Sequence, residues 1–171
     1  IREIVSPSFV SPPRRIIDLS LPISTEMPHV ALRAVKTISA NRWNATILEL
    51  YSHCGTHMDA PRHFIEDAPG IDDVSLEACC GPAKLLDLTP VEPRELIGVQ
   101  RLARWADQIG PGDRLLLRTD WHQRFGTEAY RNQLPRVSAE LARWCVAKKI
   151  ALLGVEPPSV ADVNNLAELA E

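Results

Sequence analysis

The spacing of apolar and polar residues changes period several times along the chain. Between residues 45 and 53 the pattern alternates, with Ile47, Glu49, Tyr51 and His53 on one side and Thr46, Leu48, Leu50 and Ser52 on the other. That two-residue period predicts a β-strand with His53 at its end. Upstream, a Pro- and Ser-rich lead at residues 6–13 gives way to Ile16-Ile17-Asp18-Leu19, which predicts an extended segment confined by Pro22 to an edge or an end. Residues 83–88 and 114–119 read as short buried strands, the second introduced by the turn Gly110-Pro111-Gly112-Asp113. Between them Val99, Leu102, Ala103 and Ala106 recur at helical spacing, and Gly110 ends that helix. A second helix starts at Ser138, whose hydroxyl caps free amides, and carries Leu141, Trp144, Cys145 and Lys148 at helical intervals before a strand at 150–155. Strands alternating with helices around one core predict an α/β domain with a mixed sheet. No repeat, low-complexity block or domain boundary interrupts the pattern.

Composition narrows the function. The 171 residues are 45% hydrophobic, which suits one domain with a continuous core. A net charge of −3 is scattered, with no basic run to neutralise phosphates or hold an anionic membrane, so neither nucleic acid nor a membrane is an expected partner. The apolar runs fall far short of the ~20 residues needed to cross a bilayer, and a soluble protein is expected. Cys54, Cys79, Cys80 and Cys145 show neither a Cys-x-x-Cys pair nor the dense spacing of a disulfide scaffold, which fits a reducing cytoplasm. Cys79, Cys80 and Cys145 read as small core residues, while Cys54 lies between two candidate ligands.

The chemistry concentrates in His53-Cys54-Gly55-Thr56-His57-Met58-Asp59-Ala60-Pro61-Arg62-His63, which holds three of the five histidines and a carboxylate. Imidazole nitrogen and carboxylate oxygen are ligands for borderline divalent ions such as zinc or manganese, so the segment reads as a metal site. Gly55 supplies backbone freedom after the strand, and Pro61 suits the first turn of a short helix carrying His63. Thr56 is either a hydrogen bonder that orients a ligand or a plain loop hydroxyl. His29 and His122, outside the motif, read as surface or capping residues. Trp105 and Trp144 read as packing residues on the predicted helices, and Trp43 and Trp121 remain open.

The motif resembles the signature of the metal-dependent cyclase family, which includes bacterial kynurenine formamidases and isatin hydrolases. Ile17-Asp18-Leu19-Ser20, Trp43-Asn44-Ala45, Gly112-Asp113-Arg114-Leu115-Leu116-Leu117-Arg118-Thr119 and Gly154-Val155-Glu156-Pro157-Pro158-Ser159-Val160 extend the resemblance over nearly the whole chain. It implies a single cyclase-like domain over residues 1–171 with a mixed, barrel-like sheet flanked by helices, of the swivelling β/β/α type. By position it makes His53, His57 and Asp59 ligands of a catalytic divalent ion, and His63 the proton donor and acceptor. An additional ligand in place of His63 would look the same in sequence.

Zinc so held lowers the pKa of bound water toward ~7, giving hydroxide to attack an acyl carbon, while a histidine passes a proton to the departing nitrogen. The expected function is metal-dependent hydrolysis of amide C–N bonds in small aryl formamides or cyclic amides. Two other readings use the same residues: a small-molecule-binding protein that keeps the metal-site fold without turnover, and a metal-dependent cyclase or lyase. The resemblance also implies a homodimer or homotetramer. Two departures from the family pattern stand out. The family's second-metal His and Glu would follow the Pro-Ser segment, yet no histidine follows His122, and the start of a helix at residues 164–169 suggests a missing C-terminal segment. Met27-Pro28-His29 also runs directly into the next strand, without the longer loop of many relatives.

Overall fold

The computed structural model describes residues 16–165. The lead at 6–13 and most of the helix expected at 164–169, Glu168 included, lie outside them. The described residues fall into two compact units divided between Asp59 and Ala60.

The first unit is built on an antiparallel pair, β1 (Val30–Lys36) and β2 (Ala45–Leu50), in which Val30 faces Leu50 and Leu32 faces Leu48. They are joined by the single turn α1 (Ile38–Asn41), which Thr37 caps by accepting from the Ala40 amide and Arg42 closes with φ of 70°. Asn44 Oδ1 accepts from the Ile38 amide at 3.0 Å, so the Trp43-Asn44 pair of the sequence tightens this connection. As expected, residues 27–29 lead straight into β1. The expected strand at 45–53 stops at Leu50, because the partner strand begins only at Val30. His29, with φ of 59°, cannot continue the ladder. The Tyr51 amide still reaches His29 O at 3.2 Å, and the Cys54 amide then turns back onto Tyr51 O at 2.9 Å. Residues 16–19 form no strand: Asp18 Oδ1 accepts from the Ser20 amide at 2.9 Å, a local bond that competes with ladder pairing.

The second unit carries a parallel sheet in the order β3 (Lys84–Asp87), β5 (Arg114–Arg118), β7 (Leu152–Val155), with Leu86 beside Leu117 and Leu117 beside Val155. A smaller parallel pair joins β4 (Leu96–Ile97) to β6 (Arg136–Val137). Among the described residues the strands form three separate sheets in a mixed α/β fold, and none closes into a barrel. The core is Leu86, Leu88, Ile97, Leu102, Ile109, Leu115, Leu117, Leu141 and Cys145. Leu115 and Leu117 are buried on one face of β5, as the two-residue period requires. The turn at 110–113 forms as expected: the Asp113 amide donates to Gly110 O, and Gly112 takes φ of 81°.

Helix α3 (Ala139–Ala147) starts at Ser138, whose hydroxyl accepts from the Leu141 amide, and buries Leu141 and Cys145. Residues 99–108 coil as 3-10 turns instead of an α-helix. Three residues per turn align Val99, Leu102 and Trp105 toward the core and leave Ala103 exposed. The same period aligns Arg101 and Arg104, which donate to Leu88 O and Asp87 O at the end of β3. Trp105 and Trp144 pack on the core as read from the sequence. Cys79 and Cys80 do not: they sit at the end of the one-turn helix α2 (Leu76–Cys79), which buries no residue, and both are exposed.

Candidate metal centre

The motif begins where pairing on β2 ends. The turn that starts at Tyr51 carries His53 away from the ladder, and Gly55 reverses the chain at φ of 63°, a left-handed conformation that favours glycine. A Cβ on Gly55 would meet Ile23 Cγ1 at 3.5 Å and Leu21 O at 3.8 Å, and Thr56 Oγ1 accepts from the Leu21 amide at 3.0 Å. Thr56 therefore anchors the loop to the chain at Leu21.

The fold brings His53, His57 and Asp59 together. Asp59 Oδ1 lies 2.9 Å from His53 Nδ1 and 3.5 Å from His57 Nε2, and the two imidazole nitrogens are 3.2 Å apart. Ligand atoms about 2.0–2.1 Å from a common tetrahedral zinc are separated by about 3.3 Å, and by about 2.9 Å around an octahedral ion. The donor triangle has edges of that size. The tautomer of His57 fits too. Its Nδ1 sits 2.9 Å from Gly55 O, a carbonyl that only accepts, so Nδ1 carries a proton and Nε2, which faces Asp59 and His53, is the nitrogen with which the neutral ring would bind a cation. A lone pair facing a carboxylate oxygen is repulsive unless a cation or proton lies between them. His53 is half-buried and both His57 and Asp59 are exposed, which leaves the triangle open on one side. The His53 ring also packs against Tyr51, with ring centroids 5.3 Å apart.

His63 belongs to the second unit. It ends the 3-10 turn Pro61–His63 with Pro61 in the first turn as expected, and its ring stands 4.2 Å from that of Phe64.

A second gathering of ligand-type side chains was not legible in the sequence. Asp120, His122 and Glu156 offer ligand atoms within 4.8 Å of one another, all at the carboxyl ends of β5 and β7. Parallel pairing of Leu117 with Val155 brings residues 34 apart into one network. Glu156 Oε2 accepts from the Thr119 amide (2.9 Å), the Thr119 hydroxyl (2.7 Å) and the Trp121 amide (3.0 Å), while Oε1 accepts from His122 Nδ1 at 2.9 Å. Burial pushes the Glu156 carboxyl up, but the bonds from Thr119, His122 and Trp121 outweigh it and hold the carboxyl below its ordinary value. Trp121, left open by the sequence, is buried and donates Nε1–H to Tyr130 O.

An α/β chain with an imidazole and carboxylate triangle of this size is of the class that can hold a divalent metal. A family model described as "Putative cyclase" matches residues 17–162, and the chain belongs to this cyclase family. The kynurenine formamidase of Bacillus cereus is 34% identical over 122 residues, covering 71% of this chain and 55% of that protein. The kynurenine formamidase of Bacillus mycoides is 33% identical over the same length, with the same coverage. The chain thus spans about half the length of the curated relatives it matches. Among solved structures, an isatin hydrolase bound to the product analogue thioisatinate superposes with a TM-score of 0.71 at 22% identity, over 88% of this chain and 67% of that one. Isatin hydrolase A from Ralstonia solanacearum superposes with a TM-score of 0.66 at 26% identity, over 82% of this chain and 62% of that one.

Proposed function

We propose that the chain is a metal-dependent hydrolase of amide C–N bonds in small aryl formamides or cyclic amides. The observation that carries this reading is the donor triangle of His53, His57 and Asp59 within the motif segment. The names of the relatives, kynurenine formamidase and isatin hydrolase, supply the substrate classes. The family match runs through both units, which supports reading residues 1–171 as one cyclase-like domain.

In this reading His53 Nδ1, His57 Nε2 and one oxygen of Asp59 would hold a zinc or manganese ion. Such an ion would supply Lewis acidity, polarising the carbonyl and making water acidic enough, with a pKa near ~7 for zinc, to serve as nucleophile at neutral pH. Gly55 O keeps the His57 proton on Nδ1 and so keeps Nε2 available as a ligand. His63, tied to Asp59 by a short stretch of chain, passes a proton to the amide nitrogen as the C–N bond breaks, since an unprotonated amide anion is a poor leaving group. The products are a carboxylate and an amine, or both groups on one molecule when the amide is cyclic.

The test is to strip the protein with a chelator, assay N-formylkynurenine and isatin, and restore zinc or manganese. Turnover falls on chelation and returns with metal; undiminished turnover in the metal-free protein rejects the reading. His63→Asn keeps the metal content and lowers kcat by about 10²–10⁴-fold. Tight substrate binding with no product, read by mass spectrometry, would make the chain a binding protein.

A further inference from the structure

We propose that Asp120, His122 and Glu156 form a second cation site, separate in sequence from the motif, that takes a borderline divalent transition metal such as zinc. One imidazole and two carboxylates are a recognised donor set for such ions. Their ligand atoms lie within 4.8 Å of one another, and the His122 Nδ1 to Glu156 Oε1 separation of 2.9 Å is the edge that two ligands of one ion span. On loading, the His122 ring moves its proton from Nδ1 to Nε2 and gives the Nδ1 lone pair to the cation. Atoms and charge balance without any other reactant.

Two features distinguish this set from a purely structural clamp. In the loop after β5, Glu156 Oε2 takes the Thr119 amide, the Thr119 hydroxyl and the Trp121 amide. Oε1 and the His122 ring are surplus to that task, and the His122 side chain is 63% exposed. Arg118 bonds both oxygens of Asp120, at 2.8 and 3.2 Å, and also Asp87, at 3.0 Å, so loading the site requires the guanidinium to release one Asp120 oxygen to the cation. The place in the fold is the second feature. Open parallel sheets bind ligands outside the carboxyl ends of their strands. Here a groove of about 550 Å³ lies at those ends, lined by Thr89, Thr119, Asp120, Trp121 and Arg124. Asp120 thus joins the ligand set to open space that water or an anionic co-ligand can fill.

The experiment measures zinc per chain by elemental analysis after equilibrium dialysis, on the full chain and on variants whose fold is checked by circular dichroism. His53→Ala/His57→Ala removes two donors of the motif triangle and retains about one equivalent of zinc, held at the second site. Adding His122→Ala removes that remaining equivalent. In the His53→Ala/His57→Ala background, manganese broadens the His122 ring resonances in NMR spectra. A folded His53→Ala/His57→Ala protein that binds no zinc overturns the proposal and leaves the motif reading standing. So does a triple variant that still holds an equivalent, or an unbroadened His122 ring. His122→Ala alone keeps the equivalent belonging to the motif. Its loss there, with His53→Ala/His57→Ala still loaded, would instead overturn the motif reading.

Discussion

Glu156→Ala removes the acceptor around which the loop after β5 is organised, and its cost can be worked from the bonds it breaks. Four donors converge on this carboxylate: the Thr119 amide and hydroxyl, the Trp121 amide and His122 Nδ1. Thr119 and Trp121 are 5% and 2% exposed, so water cannot readily replace the lost acceptor for either amide. An unsatisfied buried donor costs about 1–3 kcal/mol, and a bond to an ionised acceptor contributes about 1.5–3 kcal/mol. The His122 bond is exposed and adds little. Because the Thr119 and Trp121 donors share one oxygen their contributions do not add in full, and a loss of about 3–4 kcal/mol is expected. Glu156→Gln keeps the volume and one carbonyl acceptor but not the charge, so its loss is smaller, about 1–2 kcal/mol. Urea unfolding followed by tryptophan fluorescence reads both, with a lower midpoint at unchanged slope.

The pH dependence has a definite sign. The folded pKa of Glu156 lies below the ordinary 4.5, so the stabilisation is present above pH 4.5 and is lost as pH falls through the folded value. Glu156→Gln therefore flattens stability against pH below 4.5 relative to wild type. An alanine variant within about 0.5 kcal/mol of wild type, or a glutamine variant with an unchanged acid limb, refutes the reasoning.

Three further predictions address other levels of the structure. Ser138→Ala removes the acceptor for the Leu141 amide and lowers stability by about 1 kcal/mol in urea titration, whereas Ser138→Asp retains it. Leu115→Ala opens a cavity at a fully buried position beneath the parallel sheet and costs about 2–5 kcal/mol, read as a drop in Tm. Gly55→Ala forces a Cβ into the left-handed backbone at φ of 63°, costing about 1–2 kcal/mol, and zinc affinity measured by competition with a chelator falls with it.

The pattern of the chain was enough to place β5 and β7, whose apolar runs show in the residues, and the Ser138 cap and the Gly110–Asp113 turn, which rest on contacts among neighbours in sequence. The motif was legible for the same reason as the cap and the turn. His53, His57 and Asp59 are close along the chain, so a turn with one left-handed glycine suffices to converge them. What fell to tertiary structure was settled by partners far away in sequence. β2 ends at Leu50 because β1 starts at Val30. The segment Val99–Gln108 coils with three residues per turn, its leucine face on the core and its arginines on the carbonyls that end β3, which an apolar period alone cannot distinguish from an α-helix. His122 meets Glu156 only because β5 and β7 pair in parallel. Short-range geometry and side-chain type were written in the residues themselves, while strand ends, helix type and the second donor cluster depended on long-range pairing, whose register no local pattern encodes.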